Sequence, residues 1–131
     1  MLVDYIEDMG SALVAADLVV ARAGATSIAE ITALGRPSVL VPYPYATDDH
    51  QTKNAATLAA SKAAVLIADA DLDTSRLGDT LVELLSDDRT RATMAAASRA
   101  LGHADAARRV AEIARAAAAR ASTKARSARD E

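Results

Sequence analysis

The chain has 131 residues, enough for one domain or half of a two-domain protein, and 51% of them are apolar, which supports a buried core. A net charge of −3 and an aromatic content of 2% argue against a general nucleic-acid binder and leave no base-stacking platform. Cysteine is absent, which excludes disulfides, thiolate metal sites and thiol nucleophiles, and no apolar run reaches the ~18 residues of a membrane span. Acidic residues at Asp4, Glu7 and Asp8 stand where a leader peptide would be apolar, so a soluble cytosolic chain is expected.

In chain order, residues 2–5 read as an edge or truncated strand and residues 9–15 as a helix. Residues 18–21 (LVVA), 38–41 (SVLV) and 64–67 (AVLI) are short, β-branched and unalternating, as strands covered on both faces must be. Between them, residues 27–34 and 51–60 carry apolar positions at three- and four-residue spacing, and Gly35 with Pro37 stops the first of these helices. Strand–helix–strand alternation predicts an α/β fold with a Rossmann-like parallel sheet. After Ile67 the pattern is helical. Asp73 and Thr74 cap a helix to about Ser86 with a stripe of Leu77, Leu81, Leu84 and Leu85; Asp87 and Asp88 start another ending near Gly102. A third runs from Ala104 to about Arg120, and residues 121–131 read as a disordered basic tail.

Ligands of open parallel sheets bind beyond the carboxyl ends of the strands. After LVVA comes Arg22-Ala23-Gly24-Ala25-Thr26-Ser27-Ile28-Ala29-Glu30. Gly24 and the small neighbours permit close backbone approach, and free N–H groups at a helix start favour a phosphate. Glu30 has two candidate roles: accepting hydrogen bonds from a ribose diol, or closing a Ser27-x-x-Glu30 capping box. After SVLV comes a segment stiffened by Pro42 and Pro44, in which Thr47 to Asp49 are candidate caps. Gln51 and Asn54 then share a helix face, and their carboxamides suit neutral sugar hydroxyls. His50 is a candidate ligand contact, a base or a surface residue, and Asp48, Asp49 and His50 lack metal-site spacing. Ile6, at the end of the first candidate strand, is either core or a backbone partner for a base edge.

Taken together, YIEDM and ADLVVARAGATSIAEITALGRPSVLVPYPYATDDHQTKNA resemble the MurG family over most of the chain. The resemblance implies the C-terminal, donor-binding half of a GT-B glycosyltransferase with a helical C-terminal extension, residues 1–120 forming the UDP-sugar-binding unit. It implies metal-free, cofactor-free inverting transfer of N-acetylglucosamine from UDP-N-acetylglucosamine to lipid I, giving lipid II for peptidoglycan. The intact enzyme would be peripheral on the cytoplasmic face of the membrane, and lipid I would be bound by an N-terminal domain that this chain lacks. By the same resemblance Ile6 meets uracil through its backbone, Gly24, Ala25, Thr26, Ser27, Ile28 and Ala29 cradle the diphosphate and ribose, Glu30 holds the ribose, and His50, Gln51 and Asn54 face the sugar. Ala23 and Ala29 depart from the family where Ser is frequent, and Tyr45 where His is common. No catalytic base is identifiable, so the chain alone is expected to bind donor without turnover. Other UDP-sugar GT-B enzymes, or a non-catalytic helical interaction module, are the alternative readings.

Overall fold

The structure, a computed structural model, describes residues 2–127. Its centre is the strand over residues 38–40, every residue of which is buried. Three strands, β1 (Val19–Ala21), β2 (Ser38–Leu40) and β3 (Ala64–Leu66), pair in parallel in that order, with Val20 opposite Val39 and Val39 opposite Val65. Side chains alternate across a strand, so burial on both faces needs an unbroken apolar run. Leu40 accordingly joins one cluster with Leu13, Ile31, Ala55 and Leu58, while Val39 and Val41 join a second with Ile67, Leu84 and Met94. The first cluster lies beneath α1 (Met9–Ala15), α2 (Ala25–Ala33) and α3 (His50–Ala60). The second lies beneath α4 (Thr74–Ser86) and α5 (Asp88–Leu101). Leu77 and Leu81 pack against it as the stripe predicts, but Leu85 is exposed.

Helix ends explain where the chain turns toward its loops. α2 ends with Gly35 at φ 60, its N–H donating to the Thr32 carbonyl and that of Arg36 to the Ile31 carbonyl, 3.0 and 2.9 Å away. These two bonds satisfy carbonyls that the helix leaves open. α3 ends the same way, Ala63 donating to Leu58 at 2.9 Å, but the left-handed position is occupied by exposed Lys62 at φ 59. A side chain there clashes with its own carbonyl, so Lys62→Gly is expected to raise stability by about 1 kcal/mol, read as a higher denaturation midpoint with unchanged slope.

The Asp73 and Asp87 caps form as expected, accepting from the backbone N–H groups of Arg76 and Thr90. The Thr90 backbone N–H, followed by its hydroxyl, holds the Asp87 carboxyl below the usual carboxylate range. Because the folded value is lowered, the stabilisation is present above the unfolded carboxyl pKa and is lost as pH falls through the folded one. Asp87→Ala should therefore melt below the parent chain at pH 7, and the gap should close on acidification below about pH 3.9.

Three boundaries differ from the sequence reading. Residues 2–5 form no strand: among the described residues no strand pairs with them, and Leu2 and Tyr5 are 99% and 80% exposed. α2 begins at Ala25, so Ser27 lies inside its first turn. The last helix, α6, spans Ala106–Ser127 and continues through residues 121–127, where the sequence reading expects a disordered tail. Alanine, lysine and arginine propagate helix well, and neither glycine nor proline follows Gly102. Residues 128–131 of the expected tail lie outside the described residues. Val110 and Ile113 on α6 are exposed rather than packed. Among the described residues, no helix is long and apolar enough to cross a membrane.

Candidate functional site

The parallel pairing sends the exits of β1 and β2 to one edge of the sheet, where both loops found in the sequence open. At the first exit Gly24 is the N-cap of α2 in an extended conformation, and no side chain caps the helix. The Ile28 N–H donates to the Gly24 carbonyl at 3.0 Å, closing the first helical bond. The N–H groups of Ala25, Thr26 and Ser27 therefore have no carbonyl of their own helix to bond, and they make this end attractive to an anion. At the second exit a 3-10 turn over Thr47–Asp49 leads into α3. Asp48 and Asp49 both take left-handed backbone there, with φ 52 and 55, which aspartate tolerates better than most residues. The capping expected of this segment is not made: Asp49 is the N-cap, but without the extended backbone from which a cap side chain reaches the second or third N–H. Both helices thus present uncapped N-termini.

Between them lies a cleft of about 480 Å³ lined by Gly24, Ala25, Ala46, His50, Gln51 and Asn54. Its two carboxamides are held in defined orientations. Gln51 Oε1 accepts from the Tyr43 N–H at 3.0 Å, which commits the oxygen and leaves the Nε2 hydrogens as donors. Asn54 Nδ2 donates to the Ala23 carbonyl at 3.3 Å, which leaves Oδ1 as an acceptor. A donor and an acceptor fixed side by side match a sugar hydroxyl or acetamide, each of which gives and takes a hydrogen bond. His50 Nε2 lies 3.8 Å from Asp48 Oδ2, at an exposed position on the cleft wall.

On the other side of the α2 N-terminus a groove of about 300 Å³ is lined by Ile6, Met9, Val20, Ser27 and Glu30, among others. Ile6 is 40% exposed on this wall and is not a core residue. The Glu30 side chain makes no hydrogen bond or ion pair among the described residues, although its carbonyl accepts from the Leu34 N–H at 3.1 Å within the helix, and Ser27 is not an N-cap, so the capping box does not form. The carboxylate stands unpaired beside an apolar groove. Thr26 and Ala29 are exposed in the first turns of α2. Ile28 differs from the expectation for this loop: its side chain packs on the core and its N–H is spent within the helix. The two hollows bring Ile6, Ser27 and Glu30 together on one side and Gly24, Ala25, His50, Gln51 and Asn54 on the other. The sequence reading misses Tyr43 and Asp69, whose contacts are made only in the folded sheet and leave no spacing signal.

A parallel sheet with helices on both faces and two open helix N-termini, a fixed amide pair and a free carboxylate at its loop edge defines a Rossmann-like α/β domain. The chain belongs to the glycosyltransferase family 28 C-terminal domain family, whose model matches residues 1–110. It is 49% identical over 119 residues to the UDP-N-acetylglucosamine–N-acetylmuramyl-(pentapeptide) pyrophosphoryl-undecaprenol N-acetylglucosamine transferase of Sorangium cellulosum (strain So ce56), covering 88% of this chain and 29% of that protein. It is 50% identical over 115 residues to the enzyme of the same name from Chlorobium limicola, covering 85% and 32%. Among solved structures it is similar to the crystal structure of Acinetobacter baumannii MurG, with a TM-score of 0.78, 34% identity, and coverage of 86% of this chain and 32% of that one. The MurG resemblance and the Rossmann-like fold are thereby borne out. The chain spans about a third of the length of these relatives.

Proposed function

We propose that this chain is the donor-binding part of an inverting transferase that moves N-acetylglucosamine from UDP-N-acetylglucosamine to lipid I. The observation that carries this reading is the pairing of two hollows around the uncapped start of α2. A nucleotide sugar laid across it would put its diphosphate on the free N–H groups of Ala25, Thr26 and Ser27, its ribose at Glu30, its uracil along Ile6 and its sugar at Gln51 and Asn54, with His50 alongside. Negative charge develops on the departing UDP during transfer, and helix N-termini fixed in advance stabilise it without reorganising. The general base and the lipid I site belong to the rest of the enzyme, which would sit peripherally on the cytoplasmic face of the membrane. No cofactor and no nucleic acid enter the scheme.

The test is calorimetric titration of the chain with UDP-N-acetylglucosamine, UDP-glucose, UDP and GDP-mannose. The reading expects both UDP-N-acetylglucosamine and UDP to bind, and GDP-mannose to fail. Equal binding of UDP-glucose and UDP-N-acetylglucosamine would move the assignment to another UDP-sugar GT-B enzyme. Binding of none would overturn it.

A further inference from the structure

Arg22 is the first residue after β1, yet its contacts are to the exits of the other two strands. Its Nη1 donates to the carbonyls of Val41 and Pro42, 3.4 and 3.1 Å away, and pairs with the Asp69 carboxylate beyond β3. One Nη1 carries two hydrogens and here meets three acceptors, so at least one hydrogen is shared. The guanidinium also lies over the Tyr43 ring, 5.8 Å from its centroid, in cation–π range. A single side chain thus gathers all three strand exits.

The fastening leads directly to the sugar side of the cleft. Val41, Pro42 and Tyr43 begin the segment between β2 and α3, and the Tyr43 N–H is the group that orients Gln51 Oε1. Ala23, next to Arg22, supplies the carbonyl that orients Asn54. Both cleft amides therefore take their orientation from backbone held by, or adjoining, Arg22. By contrast, Ser27 and Glu30 lie within α2, whose position rests on Ile28 and Ile31 in the core. Arg22 is about half exposed and Asp69 about a third, and the pair would contribute little as an isolated surface ion pair. Its effect comes from holding the guanidinium against the Val41 and Pro42 carbonyls.

We infer that Arg22, held by Asp69, is a positioning residue that sets Gln51 and Asn54 for the sugar of the donor, while leaving the nucleotide end of the site unaffected. The inference rests on the proposed donor-binding reading. It also separates the roles of charge and shape: lysine keeps the charge but has no plane to lie over Tyr43.

The experiment measures the ratio of UDP-N-acetylglucosamine affinity to UDP affinity by calorimetry for the parent chain, Arg22→Lys, Arg22→Gln and Asp69→Asn, with melting curves for each. The expected result is a ratio above one in the parent that falls about fivefold in Arg22→Gln, with UDP affinity changed less than twofold. Asp69→Asn, which keeps Arg22 and its carbonyl bonds, should lose less, and Arg22→Lys should fall between the two. Should Arg22→Gln fail to fold, the ratios of Asp69→Asn and Arg22→Lys decide. A parent ratio of one, an unchanged ratio in the folded variants, or equal losses for UDP and the nucleotide sugar would overturn the inference while the donor site stood. Failure of the parent to bind either ligand would overturn the donor reading and this inference with it.

Discussion

Glu30→Gln should bind UDP at least about tenfold more weakly than the parent chain while melting at the same temperature. The Glu30 side chain makes no hydrogen bond or ion pair among the described residues, and α2 starts at Gly24 without help from its carboxylate. Folding therefore has little to lose from the substitution. Binding does: a carboxylate accepting from a ribose diol makes two charge-assisted bonds, and exchanging it for a neutral amide removes roughly 1.5–3 kcal/mol. That is about tenfold or more in affinity. Calorimetry with UDP beside a melting curve separates the two quantities. An unchanged dissociation constant would remove Glu30 from the site, because the capping alternative is already absent from the structure.

Gly102→Ala should have the opposite profile, a large loss of stability. Gly102 lies just beyond α5 with φ −76, a value open to any residue, so the backbone conformation is not the obstacle. The obstacle is space. A Cβ built on Gly102 would stand 2.3 Å from the Thr32 carbonyl oxygen and 2.7 Å from its carbon. These are backbone atoms of α2 and cannot swing aside, so α5 and α2 must separate, at a cost of about 1–3 kcal/mol or more. Because α2 carries Gly24 to Glu30 on its first turns, UDP affinity should fall as well, though less than for Glu30→Gln. Chemical denaturation measures the first effect, and a midpoint equal to that of the parent would contradict the packing described.

The parallel sheet was legible because double-sided burial leaves an unmistakable trace. SVLV admits no polar alternation, and Leu40 and Val39 do enter opposite clusters. Helix starts that depend on an adjacent side chain, such as those at Asp73 and Asp87, were equally legible. What depends on the fold around a residue was not. Residues 2–5 have strand composition, but a strand is defined by its neighbour, and none pairs with them. Ser27-x-x-Glu30 has a capping spacing, but Gly24 starts the helix one turn earlier in the space that the exit of β1 allows. The Thr47–Asp49 segment has cap residues in a backbone that prevents capping. In the site, the carboxamides of Gln51 and Asn54 could be placed on one face from spacing alone. Which of their atoms stay free depends on Tyr43 and Ala23, set by contacts that no local pattern encodes.

The central claim is that one nucleotide sugar spans both hollows at the start of α2. Amide NMR of the isotope-labelled chain during titration with UDP-N-acetylglucosamine tests it most directly, since each residue reports separately. The account predicts that the amides of Ala25, Thr26 and Ser27 shift most. Smaller shifts should appear at Ile6 and Glu30 on one side and at Gln51 and Asn54 on the other, all saturating at one ligand concentration. UDP alone should reproduce the shifts at Ile6 to Glu30 and not those at Gln51 and Asn54. Shifts confined to one hollow, or centred on α5 and α6 away from the strand exits, would contradict it.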